Sequence, residues 1–279
     1  MSEINKLHEQ IPLGKSTEYQ SRYNPTLLAP IPRELSREAL ASCQREMFGE
    51  DLWTAYEMSW LKPGGVPVVA VMRCYVPSTS THIIESKSFK LYLNSFNGSE
   101  FASFAAVEQQ LQVDLTAAAG ESVKVVLERL GAAETSLQVG DLIGINCVDE
   151  LPIAVTQYEP DARLLKADHD LVVEEALCSH LLKSNCPVTS QPDWASVIIR
   201  YKGPQIVPES FLAYVISFRE HQDFHEHCVE RMYVDLMNRF NFEYLDVVAR
   251  YTRRGGLDIN PFRSSRADAP RIETRLVRQ

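Results

Sequence analysis

One thiol in this chain sits where packing alone explains it poorly. Cys186 lies in the polar, proline-bounded run Ser184-Asn185-Cys186-Pro187-Val188-Thr189-Ser190-Gln191-Pro192-Asp193-Trp194, and loops carry functional groups more often than the elements they join. A cysteine attacks as its thiolate. Asp193 begins an apolar, strand-like run seven residues on and can fold back toward the thiol. An ionised carboxylate opposes a thiolate, so Asp193 reads better as a proton carrier than as a thiolate stabiliser. The plain alternative, an inert packing cysteine, stays open.

Three further segments carry candidate groups. In Phe224-His225-Glu226-His227-Cys228, the spacing of Asp223 and Glu226 matches a capping box, which would explain Glu226 without a ligand. A helix turns residues i and i+2 to different faces, so one metal ion cannot easily take both histidines, and no metal is expected. Glu85-Ser86-Lys87-Ser88-Phe89-Lys90-Leu91-Tyr92 reads either as a strand edge with solvated charges or as a Lys/Ser grip on a phosphate, with Glu85 facing a second ligand. Arg253-Arg254-Gly255-Gly256 is either an ordinary solvated turn or a donor-rich turn suited to a phosphate.

The elements that must position these groups follow a duplicated order. Ser88-Phe89-x-x-Tyr92-Leu93-x-Ser95-Phe96 returns as Ser210-Phe211-x-x-Tyr214-Val215-x-Ser217-Phe218, an offset of 122 (210 − 88), and Val107-Glu108 returns as Val229-Glu230 at the same offset. Strands are expected over 53–61 and 66–76, joined by a Lys62-Pro63-Gly64-Gly65 hairpin, and over 123–130, 194–201 and 242–252. Asn97-Gly98-Ser99 is read as a turn and helix start, and Lys202-Gly203-Pro204 as a turn. Phe101, Phe104, Val107, Leu111 and Leu115, then Phe224, Cys228, Met232, Leu236 and Phe240, recur as helical faces. Residues 1–35 read as an irregular, proline-rich arm. Strands followed by a helix and more strands, twice, describe an α+β protein with largely antiparallel sheets. Neither βαβ alternation nor G-x-G-x-x-G is present, so a Rossmann domain is not supported.

The 279 residues are 45% hydrophobic and 23% charged, an ordinary globular balance. A net charge of −9 gives no general attraction to polyanions, so no nucleic-acid partner is expected. No apolar run approaches the roughly 20 residues of a membrane helix, and the first residues do not resemble a signal peptide. A cytoplasmic protein without a membrane partner is the expectation. The six cysteines, at 43, 74, 147, 178, 186 and 228, form no C-x-x-C pair; a zinc ribbon or redox dithiol is not indicated.

Four motifs in order carry a resemblance to the NADPH-dependent 7-cyano-7-deazaguanine reductases, the nitrile reductases of queuosine biosynthesis (QueF type). They are Glu85 to Tyr92, Asn185-Cys186-Pro187 with Asp193, Phe224-His225-Glu226, and Arg254-Gly255. The resemblance runs from about residue 30 to 262, in the long, two-module form. It implies tandem tunnelling-fold (T-fold) modules, with an arm over 1–30, a first module over 31–145 bearing the cofactor motif and a second over 146–279 bearing the chemistry. It further implies NADPH as cofactor, the free cyano-base as small-molecule substrate, and a homodimer. By the same resemblance Cys186, Asp193 and His225 are catalytic. Ile84, Glu85, Ser86, His225 and Glu226 meet the substrate, and Ser86, Lys87, Arg254 and Gly255 meet the cofactor. The rival readings are a cyclohydrolase-like enzyme of the same fold, which would need a metal-ligand set, a non-catalytic purine-binding module, and a cysteine hydrolase, which would need an oxyanion-hole arrangement.

Overall fold

The computed structural model of the chain describes residues 19–40 and 46–279. Residues 1–18 of the expected arm, and Cys43, lie outside the described residues. The described residues fall into two compact units that are interleaved in sequence. The first takes the residues up to Glu38, Asp51–Gln138 and Arg253–Ile259, and the second takes Ala39–Glu50, Val139–Thr252 and Asn260–Gln279. Where one cut at 145/146 was expected, Arg253–Ile259 from the far end of the chain packs into the first unit.

The first unit runs β1 (Pro30–Pro32), α1 (Glu34–Arg37), β2 (Phe48–Leu61, from Asp51 onward), β3 (Pro67–Pro77), β4 (His82–Ile84), α2 (Ser86–Asn94), α3 (Phe104–Ala119), β5 (Lys124–Glu128) and α4 (Leu130–Ser136). Its strands lie in the order β5-β3-β2, and β1 pairs antiparallel with β4. The β2/β3 hairpin closes as expected at Gly64 and Gly65, both at positive φ (92° and 84°), where a residue without Cβ is unstrained. Part of the expected irregular arm is ordered. Ile31 is buried in β1, and Arg33 is sealed in an ion pair with Asp51 at 2.5 Å.

The second unit runs β6 (Asn146–Cys147), β7 (Ala167–Asn185), β8 (Pro192–Ile206), α5 (Pro208–Ser217), α6 (His225–Arg239) and β9 (Tyr244–Tyr251). Strand β10 (Leu257–Ser264) joins this unit from Asn260 onward, and the order is β10-β9-β8-β7-β6. All these pairs are antiparallel except β6 with β7. Helices α5 and α6 and one face of the sheet enclose a core that includes Leu177, Val197, Ile199, Phe211, Tyr214, Val229 and Leu236. The α+β architecture with mainly antiparallel sheets is therefore present in both units.

Three local expectations change. Lys202-Gly203-Pro204 is not a turn but part of β8, with Gly203 and Pro204 paired to Val173 and Val172. A Cβ on Gly203 would stand 2.7 Å from the Phe242 ring, so glycine marks a close approach rather than a bend. Helix α3 starts at Phe104, capped by Ser103 Oγ accepting from Ala106 N at 3.1 Å, and not at Ser99. Long strand β7 was not anticipated, because its first half runs in blocks, Asp168-His169-Asp170, Leu171-Val172-Val173 and Glu174-Glu175, without the period-two alternation of a strand, and is mostly exposed.

The duplicated frame is helical in both copies, as α2 and as α5, each running on to the closing Phe96 or Phe218, and the polar contacts recur. Tyr92 Oη donates to Asp114 Oδ2 at 2.6 Å, and Tyr214 Oη donates to Asp235 Oδ2 at 2.7 Å. Ser88 Oγ donates to Glu85 O and Ser210 Oγ to Val207 O, both at 2.6 Å, and each hydroxyl accepts a backbone N–H at 3.0 Å, from Ala29 and Lys166. Ser95 and Ser217 each bond back to the tyrosine carbonyl at 2.6 Å. Tyr92–Phe96 and Tyr214–Phe218 meet edge to face at 5.3 and 5.4 Å.

Candidate active site

The β7/β8 hairpin sets the geometry around the thiol. Asn185 pairs with Pro192 and Ser184 with Asp193. Beyond the last pair, Cys186 N donates to Gln191 O at 2.9 Å and Ser190 N donates to Cys186 O at 3.0 Å. Ser190 takes φ 54° to close this loop, a left-handed conformation that non-glycine residues seldom adopt. Residues opposed across a ladder share a face, as do residues two apart along a strand. Ser184, Cys186 and Asp193 therefore point to one side of the hairpin, and Tyr251, paired with Ala195 in β9, joins them.

Helix α6 delivers its first turn onto that side. His225 stacks on the Tyr251 ring at 3.8 Å and 18°, and its Nε2 lies 3.2 Å from Asp193 Oδ2, close but not aligned as a hydrogen bond. Cys186, Asp193, His225 and Glu226 are 2, 5, 7 and 3% exposed. His225 Nδ1 and the neighbouring loop's Thr189 Oγ1 are buried with no hydrogen-bond partner among the described residues, a condition that a ligand's polar edge relieves. Tyr251 and Thr189 were not singled out in the sequence. A tyrosine inside an apolar strand and a threonine in a polar loop carry no spacing signal of their own.

Glu226 is not part of a capping box. Phe224 is the N-cap residue and supplies no side-chain cap, while Asp223 accepts from Phe224 N at 2.8 Å and meets His227 Nδ1 at 3.1 Å. Glu226 instead occupies the first turn, where the helix dipole favours a carboxylate. Burial by itself would lower the His227 imidazole, but the Asp223 hydrogen bond and charge, with Glu230 and Glu226, outweigh it and raise it above its ordinary value.

In the first unit Glu85-Ser86-Lys87 is a helix start and not a strand edge with solvated charges. Glu85 is fully buried and caps α2, accepting from Lys87 N at 2.6 Å and Ser88 N at 2.8 Å. Burial raises its carboxyl above the usual range, and the two backbone bonds hold it back. Ile84 is buried at the end of β4. Arg254 and Gly255 are exposed at the tip of a tight turn in which Arg254 and Leu257 bond each other's backbones, with Gly255 and Gly256 at φ 59° and 78°. That tip packs with the first unit. Gly256 abuts the Glu57 carboxylate, Glu57 pairs with Lys90, and the Arg253 guanidinium lies over the Tyr56 ring at 4.5 Å. Lys90 is one helical turn past Ser86 and Lys87, so Lys87, Lys90, Arg253 and Arg254 gather cationic groups around this edge of the unit.

A family model described as nitrile reductase, 7-cyano-7-deazaguanine-reductase N-term, matches residues 19–127, and one described as QueF-like protein matches residues 192–270. The NADPH-dependent 7-cyano-7-deazaguanine reductase of Dechloromonas aromatica (strain RCB) is 54% identical over 270 residues, covering 96% of this chain and 95% of that one. The chain belongs to the 7-cyano-7-deazaguanine nitrile reductase family. A second nitrile reductase relative, the NADPH-dependent 7-cyano-7-deazaguanine reductase of Chromohalobacter salexigens, is 49% identical over 281 residues and covers all of both chains. Cys186 falls between the two family-model spans, within the length shared with this full-length nitrile reductase. The solved apo form of archaeosine synthase QueF-Like aligns to 38% of this chain and 100% of its own at 20% identity, with a TM-score of 0.31, too distant to bear on the fold.

Proposed function

We propose that the chain reduces the nitrile of 7-cyano-7-deazaguanine to the primary amine of 7-aminomethyl-7-deazaguanine with NADPH, in queuosine biosynthesis. The observation that carries the reading is the burial of Cys186, Asp193, His225 and Glu226 together in the second unit. The names of the two full-length relatives support the reaction and the cofactor.

The steps follow from the groups present. Cys186 Sγ adds to the nitrile carbon, and one π pair moves onto nitrogen. Asp193 delivers a proton to that nitrogen, leaving a thioimide, a better hydride acceptor than the nitrile. When bound, two NADPH molecules in turn would supply one hydride each, the first to the thioimide carbon and the second to the imine that follows it, and the nitrogen takes a further proton to become the amine. Between the two hydride transfers the C–S bond breaks and Cys186 leaves with its electron pair. His225, held flat on Tyr251, orients Asp193 and takes part in moving its proton. Enclosure of the site keeps water from the hydrolysable imine.

Glu226 accepts hydrogen bonds from the N–H edge of the base. Glu85, next to Ile84 and Ser86, offers the substrate the lone pairs that its cap leaves over. Ser86, Lys87, Arg254 and Gly255 hold the cofactor's phosphates. The cationic edge of the first unit fits that task, and Gly255 has open space about it. The two units correspond to a first, cofactor-bearing module and a second, chemical one. Pairing of sheet edges favours a homodimer. The charge of −9 fits a free-base substrate, and among the described residues no helix is long and apolar enough to cross a membrane. A cytoplasmic enzyme acting on no nucleic acid is the consistent reading.

Incubation with the cyano-base, without NADPH, should add one substrate mass to the intact chain by mass spectrometry. The adduct should be absent in Cys186→Ala, and its persistence there would remove the nucleophile assignment. Asp193→Asn should still bind the base but form the adduct slowly.

A further inference from the structure

We propose that the second unit carries a zinc site, built from Cys147, Cys178 and His180, on the strand pair β6/β7 and apart from the nitrile chemistry. One ligand atom from each of the three lies within 4.8 Å of the others. The backbone explains the cluster. Strand β6 is only two residues long, and its Cys147 is directly opposite Cys178 in a parallel register. His180 is two residues beyond Cys178, and alternation along a strand returns it to the same face.

The surroundings hold this arrangement in place. Val148 N donates to Cys178 O at 3.0 Å. Asp149 accepts from Ser179 Oγ at 2.6 Å and from His180 N at 2.9 Å, bracketing the segment where the β7/β8 register shifts. Ser196 Oγ stands 2.7 Å from His180 Nδ1 and accepts from Arg278 at 3.2 Å; in the tautomer where Nδ1 donates to this hydroxyl, the ring is fixed and its other nitrogen is left for an ion.

Two sulfurs and an imidazole select a soft or borderline cation, and zinc takes this set readily. Tetrahedral zinc, with Zn–S about 2.3 Å and Zn–N about 2.0 Å, separates its ligands by just under about 4 Å. Closing from at most 4.8 Å asks for side-chain rotation and no new backbone path. Cys178 is buried, His180 half-buried and Cys147 exposed. The fourth position therefore faces solvent and takes water. The ion clips a two-residue edge strand to its neighbour, an anchor that so short a ladder cannot provide alone.

The test uses the full-length chain carrying Cys186→Ala, so that the loop thiol cannot bind metal. The protein is reduced, stripped with chelator and titrated with cobalt(II) as the spectroscopic probe. One equivalent per chain should give the thiolate-to-cobalt charge-transfer band and tetrahedral visible bands, and zinc should displace it. Zinc should also raise the melting temperature of this protein. Cys147→Ser, a change at an exposed residue, should abolish the band and the zinc-dependent rise while circular dichroism stays native, and His180→Ala should weaken both. No saturable cobalt binding, or a band that survives Cys147→Ser, overturns the site. If His180→Ala fails to fold, Cys147→Ser decides alone.

Discussion

The two copies of the repeated frame are alike inside their helices and unlike at their starts. Within α2 and α5 the tyrosine–carboxylate bond, the serine bridges and the edge-to-face rings agree to about a tenth of an ångström. At the helix starts, Glu85-Ser86-Lys87 of the first copy stands where the second has Val207-Pro208-Glu209, with no side-chain cap. At the next helix the difference reverses. Helix α3 has an ordinary Ser103 cap, while α6 opens on buried His225 and Glu226 without one. A helix start offers a directed dipole and unpaired N–H groups, so it changes task without disturbing the packed interior. The two copies therefore differ at the helix starts and agree in the packed interior.

The sharpest break of this division is Cys186→Ala. If chemistry belongs to the second copy, turnover should fall at least about 10³-fold with the melting temperature near that of the parent. NADPH oxidation in the presence of the cyano-base measures it.

The likeness of the interiors can be sharpened next. Tyr214→Phe should cost about 2–3 kcal/mol, because Asp235 is then left with Arg231 at 3.7 Å, beyond hydrogen-bond length. Tyr92→Phe should cost about 1 kcal/mol, since Asp114 keeps Tyr23 at 2.8 Å and Gln110 at 3.0 Å. Denaturant unfolding of both variants measures the pair, and equal losses would refute the difference. A smaller effect separates cofactor from chemistry. Arg254→Ala should raise the KM for NADPH about tenfold, the loss of about 1.4 kcal/mol of phosphate contact, while the rate of adduct formation without NADPH stays unchanged.

The smallest effect is the pH dependence of the α6 start. His227 is raised above its ordinary value of 6.5, so its charged form contributes stability that is fully present below pH 6.5 and is lost as pH rises through the folded value. Asp223→Asn should therefore be less stable than the parent at low pH, with the gap narrowing as pH rises. Unfolding midpoints across the range record this, and a pH-independent gap would exclude the pair as its source.

Much was legible before folding because it is local. The helical faces of α3 and α6, the Gly64-Gly65 hairpin and the frame itself are periodic signals, and Cys186 stood out by the polarity of its loop. The strand β7, the run of β8 through Gly203-Pro204 and the helical state of residues 86–94 were missed or misread, since partners distant in sequence decide them. The same holds for Glu226, whose spacing imitated a cap that the backbone at Phe224 does not make.

Residue types and their order determined by themselves that the chain is α+β, that it is duplicated, and which thiol, carboxylates and cations could act. Only the tertiary structure decided that Asp193 faces His225 across 3.2 Å, that Arg254 belongs with the first unit, and that Cys147 meets Cys178 and His180. The physical reason is range. Propensity and periodicity act over a few residues, whereas strand register and helix docking bring together groups dozens to more than a hundred positions apart.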